Sequence, residues 1–185
     1  MPATSIRQRV FAVFAIVTAV CASAQAETTL RRTTLIVGDI DASVTFYTAA
    51  RFRVTYDTSR PADDPRGVLG GDALPLSTSP NESRIVILQG PGADSGMIGL
   101  LEYRDPPLPD HRRAPGAMHR GDVVLMMTVA DLMSIHEELV KLEAVFFKEP
   151  QRYTVENAGG EVVATGLRMF VYDPDGHLVE MVQRD

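Results

Sequence analysis

Cysteine is almost absent: of 185 residues only Cys21 carries a thiol. Tryptophan is missing, aromatic residues make up 6%, and there are four histidines. Beyond position 21 the chain therefore has no disulfide, no thiolate metal site, no redox dithiol and no cysteine nucleophile. No apolar run reaches the roughly 20 residues needed to span a bilayer. The longest, Val10 to Ala22, follows Arg7 and Arg9 and precedes Ala24-Gln25-Ala26. A basic start, a short apolar stretch and a small-x-small triplet predict a signal peptide over residues 1–26, cleaved after Ala26. Val20 is bulky where a lipoprotein signal would place a small residue before Cys21. Removing 26 of 185 residues leaves 159, enough for one well-filled domain held by its core alone. The formal charge of −6 becomes −8 once Arg7 and Arg9 leave with the leader. Such acidity excludes nucleic acid and an anionic membrane surface as expected partners. Asn81-Glu82-Ser83 matches a glycosylation sequon, a triplet that arises readily by chance.

What remains alternates between apolar strands and amphipathic stretches. Thr33 to Val37 is a β-branched run, and Asp41 is the expected N-cap of a helix with Ile40, Val44 and Tyr47 on one face. Phe52 to Tyr56, Arg84 to Leu88 and Met97 to Tyr103 read as strands. Residues 57–82 are rich in Pro, Gly, Asp and Ser, and predict a long loop of the kind that serves as a lid or binding loop. Residues 105–119 hold four prolines and two histidines and read as a linker. Then the pattern restarts. Val123 to Val129 is a strand, and Asp131 opens a helix with Leu132, Ile135, Leu139 and Leu142 at helical spacing. Val145 to Phe147, Leu167 to Tyr172 and Leu178 to Gln183 are strands, with Tyr153 to Val155 a further candidate and a turn at Asn157 to Gly160. A shift of 92 positions lays Val37 on Val129, Asp39 on Asp131, Ile40 on Leu132 and Tyr47 on Leu139. Each half reads strand, helix, then three strands.

Two segments carry a resemblance. One is Leu35-Ile36-Val37-Gly38-Asp39-Ile40-Asp41, and the other is Asp173-Pro174-Asp175-Gly176-His177-Leu178-Val179-Glu180, a tight turn feeding an apolar strand that carries one carboxylate. Together they resemble the opening and closing elements of the vicinal oxygen chelate superfamily, which includes glyoxalase I, extradiol dioxygenases and bleomycin-resistance proteins. Strand-helix-strand order alone would also allow a ferredoxin-like domain; the Asp-Pro-Asp-Gly turn with its following glutamate favours the former. The resemblance implies an α+β fold of two βαβββ modules forming an open half-barrel around a cavity. The modules would cover 27–104 and 120–185, making one domain over about 30–185.

In metal-dependent relatives the resemblance implies one ligand from the first strand and one from the last strand of each module. The first-strand positions, seven residues before the aspartate, are Arg32 and Val124 here, neither of which ligates. The last-strand position of the second module is Glu180; that of the first is Glu102 or Leu100, depending on alignment. The sites of extradiol enzymes and of zinc or nickel glyoxalases need a fuller donor set. No metal is therefore expected, and Arg32, Glu102, Val124 and Glu180 become candidate ligand-binding residues. For Glu180 two roles stand: a structural carboxylate paired with Arg32, or a general base raised in pKa by Leu178 and Val182, with Arg32 holding an anionic group. Arg84 and Arg168 occupy comparable strands, facing either the cavity or solvent. His111, His119, His136 and His177 read as solvent-facing or capping residues.

The leading expectation is an exported protein that holds a small organic molecule between its modules. The second is a lyase or isomerase acting on a small carbonyl compound, with an atypical zinc, nickel, iron or manganese site from Glu180, Glu102 and His119. A third is a cavity that has lost its ligand and serves as an assembly surface; a homodimer is compatible with all three.

Overall fold

The computed structural model describes residues 28–61, 64, 74–92, 95–110 and 116–185. The leader expected over 1–26 and His111 lie outside them. The order of elements is β1 (Arg32–Ile36), α1 (Ile40–Ala49), β2 (Arg53–Pro61), β3 (Glu82–Gln89) and β4 (Met97–Arg104), then β5 (Val124–Thr128), α2 (Leu132–Lys141), β6 (Phe146–Glu156), β7 (Val162–Tyr172) and β8 (Leu178–Arg184). Each half forms its own four-stranded sheet, β1-β4-β3-β2 and β5-β8-β7-β6. In both, a parallel pair (β1 with β4, β5 with β8) is followed by two antiparallel ladders. The expected βαβββ repeat is present twice.

Three local expectations change. Asp39, not Asp41, caps α1: its carboxylate accepts from the amides of Asp41 and Ala42, both at 3.0 Å. Strand β2 continues past Tyr56 to Pro61, because residues 57–61 pair with β3 despite their turn-forming composition. Proline is tolerated there at the end of an edge strand. The two short strands expected around Phe147 and Tyr153 are one, β6, also at a sheet edge. Its register is broken between Lys148 and Gln151, which accommodates Pro150.

One core serves both halves. Ile40, Phe46 and Tyr47 of α1 and Leu132, Ile135 and Leu139 of α2 are buried with Leu35, Val86, Leu100, Met169, Val171, Val179 and Met181. Leu142 falls beyond the end of α2 and is 42% exposed rather than on its buried stripe. The helices touch each other, and Arg51 donates to the Ser134 hydroxyl at 2.7 Å.

The polar joint between the halves is the Asp173-to-His177 turn. Asp175 accepts from the Gly38 amide at 2.8 Å and the Ser43 hydroxyl at 3.0 Å. Asp173 accepts from the Tyr47 hydroxyl at 2.8 Å, from the His177 amide at 2.8 Å and from the Asp175 amide at 3.0 Å. Both carboxylates are buried. Several donors on each offset a desolvation that an unpaired carboxylate would not survive. Gly176 completes the turn at φ 87°, a conformation that a side chain disfavours.

Candidate functional site

Side chains along a strand alternate between the two faces of its sheet. In the second sheet Met127, Met169, Val171, Val179 and Met181 pack toward the helices. Val124, Met126, Arg168, Phe170, Leu178, Glu180 and Val182 therefore lie on the face turned away from them. Ladder register brings the candidates together there: Val124 opposite Leu178, Met126 opposite Glu180, and Phe170 on Glu180's other side.

The same register defines the first module's counterpart. Arg32 lies opposite Met97 and Thr34 opposite Gly99, so Gly99 matches Glu180 as Arg32 matches Val124. Glu102 and Leu100 are thus both on the wrong face. Leu100 is in the core beneath the helices. Glu102 is level with Arg84, whose guanidinium reaches Asp41 on α1 at 2.8 Å and Asp57 on β2 at 2.9–3.0 Å. Its own partner is the Arg104 guanidinium. The expectation that Glu102 approaches the cavity fails by a single residue of parity.

At Gly99 a Cβ would meet the Thr34 hydroxyl at 2.9 Å and Cδ of Arg32 at 3.0 Å. The Arg32 side chain lies over this glycine, in the space a glutamate would enter. The four positions that the resemblance implies for a metal are therefore Arg32, Gly99, Val124 and Glu180, a set with one donor. It does not fit a divalent ion, which needs three or more protein ligands in a catalytic site of this kind. Among the described residues no group of three or more histidines, cysteines or carboxylates is arranged to hold a metal ion. His119 is exposed and its amide donates to Asp122; His136 meets Glu149 at 2.7 Å; His177 meets Asp173 at 3.0 Å.

Glu180 is half-buried and pairs with no cation among the described residues; the expected ion pair with Arg32 is not made. Each stays on its own sheet. Arg168, which strand patterning leaves undecided together with Arg84, sits one step diagonally from Glu180 across the β7–β8 ladder. Its guanidinium lies 5.7 Å from the ring centres of both Tyr153 and Phe170, within cation–π range. Its Nε is buried without a hydrogen-bond partner. Phe147 meets Phe170 edge-on at 6.3 Å, and Met126 is 61% exposed. Strict alternation through Leu167-Arg168-Met169-Phe170-Val171 is the signal that sets Arg168 on the face opposite the methionine core.

The first sheet differs. Its helix-free face, formed by Ile85, Leu101 and Tyr103, packs against Leu74, Leu76 and Leu108 from the connecting segments. Part of the segment expected to act as a lid thus lies against this sheet. Elsewhere, a groove of about 550 Å³ runs between α1, Leu142 to Val145 and the Asp173–Gly176 turn. It contains none of the four candidate residues.

A family model described as Glyoxalase/Bleomycin resistance protein/Dioxygenase superfamily matches residues 29–181. Among solved structures, a glyoxalase family protein from Bacillus cereus superposes with a TM-score of 0.61 at 20% identity, covering 87% of this chain and 99% of that one. A glyoxylase/bleomycin resistance protein/dioxygenase domain from Frankia gives 0.53 at 18% identity, covering 86% and 100%. The trypanothione-dependent glyoxalase I of Leishmania major gives 0.51 at 19%, covering 85% and 87%. At these identities the likeness is one of fold. No curated protein sequence matches the chain significantly.

Proposed function

Because the chain belongs to the Glyoxalase/Bleomycin resistance protein/Dioxygenase superfamily, we propose that it binds a small organic molecule against the helix-free face of its second sheet, without the metal that many relatives use. The observation that carries this reading is Glu180. It is a half-buried carboxylate with no ion-pair partner among the described residues, set between Met126 and Phe170. A carboxylate in that position is available to accept hydrogen bonds from a ligand, and the apolar side chains around it supply contact area. Arg32 over Gly99 and Val124 opposite Leu178 support a site that works without an ion. The basic start, short apolar run and small-x-small triplet of residues 1–26 support export, and the chain's acidity supports neither nucleic acid nor membrane as partner. A homodimer is compatible with this reading.

Metal analysis of the mature protein is the direct test. The reading expects no stoichiometric metal, no change in melting temperature with a chelator, and a saturable rise with a bound ligand that Glu180→Ala weakens. Stoichiometric zinc, nickel, iron or manganese that disappears in Glu180→Ala would replace it with a metal-dependent lyase or isomerase.

A further inference from the structure

We propose that the ligand is a small organic acid, seated by its carboxylate on Arg168 and by a hydrogen-bond donor on Glu180. The inference rests on the ligand face proposed above and adds the chemical class. Arg168 is held between Tyr153 and Phe170, with the guanidinium 5.7 Å from each ring centre. Rings on either side stiffen a long side chain and leave the guanidinium edge for an acceptor in its plane. Among the described residues no acceptor is there: Nε is buried and unpartnered, and the neighbouring carboxylate, Glu180, does not pair with it. A buried guanidinium nitrogen left without an acceptor is costly, and a carboxylate or similar oxyanion would relieve that cost through two parallel bonds.

The ring over Gly166 fixes the seat further. A Cβ at Gly166 would meet Tyr153 Cε1 at 3.0 Å, so the glycine makes the space in which the Tyr153 ring lies beside Arg168. Phe147, Phe170 and Met126 then give the body of the acid an aromatic and thioether surface. Glu180, one ladder step from Arg168, accepts a hydroxyl, amide or ammonium proton from the same molecule.

The probes are 4-hydroxyphenylacetate and its uncharged analogue 4-hydroxyphenylacetamide, followed by calorimetry and by the methyl resonance of Met126. The acid should bind ~10-fold or more tightly than the amide and shift the Met126 signal. Arg168→Met should bring the acid down to the amide's affinity, and Arg168→Lys should restore part of the difference. Equal binding of acid and amide, both shifting Met126, leaves the ligand face standing and removes this inference. If neither probe moves Met126, both fall. Should Arg168→Met fail to fold, the comparison of acid with amide on the unaltered protein decides.

Discussion

The Tyr47 hydroxyl donates to the Asp173 carboxylate at 2.8 Å, across 126 positions of sequence. One residue belongs to the first helix and the other to the turn before the last strand. Removing the hydroxyl leaves Asp173 its amide donors from Asp175 and His177 but strips one bond from a buried carboxylate. Tyr47→Phe should cost about 1–2 kcal/mol in urea unfolding, and the two halves should still unfold in one transition.

Asp175→Asn tests the same joint from its other side. The amide oxygen keeps one acceptor, but the charge that drew both the Gly38 amide and the Ser43 hydroxyl is gone. A loss of about 1–3 kcal/mol is expected, with Ser43→Ala smaller. Measured together, the pair should be less than additive, since both changes break one contact.

Stability should fall as pH rises, in two stages. His177 is held above its ordinary value, chiefly by its hydrogen bond to Asp173, so its contribution is complete below pH 6.5 and fades as the folded imidazolium deprotonates. Tyr47 is raised further, first by burial and then by Asp173. The unfolded chain ionises its phenol near pH 10 while the folded one does not, so a second decline begins there. Burial also raises Tyr103, so Tyr47→Phe should shrink the alkaline stage to the part Tyr103 contributes and leave the earlier one in place.

Gly166→Ala should be severe. A methyl group there would lie 2.0 Å from the Gln183 carbonyl oxygen, a backbone atom that cannot swing aside, besides striking the Tyr153 ring. Separating β7 from β8 at that point should cost about 2–3 kcal/mol or more. Gly99→Ala should be milder, since the Arg32 side chain can retreat from it; a melting curve for each separates the two.

Much of this fold is written locally. The matched pairs Asp39 with Asp131 and Ile40 with Leu132 announce two helix starts and their buried faces, although the first cap is Asp39 where Asp41 was expected. Pairing between strands is less visible. Residues 57–61 look like a loop and form a strand because β3 offers them a ladder. The site shows the same limit more sharply. Glu180 reaches the expected face because its strand is anchored by an unmistakable turn. Glu102 does not, because nothing in Ile98-Gly99-Leu100-Leu101-Glu102 signals which parity meets β1; only register tells it. The facing of Arg168 is undecided in the sequence for a related reason, since its meaning comes from Tyr153, which is brought beside it by a long irregular hairpin.

The Asp173–His177 turn and β8 are synthesised after everything they fasten. Until a ribosome has released them, Gly38, Ser43 and Tyr47 have no carboxylates to hold, and β5 and β7 have no strand between them. The two halves of a growing chain therefore stay unlatched until that turn has been made.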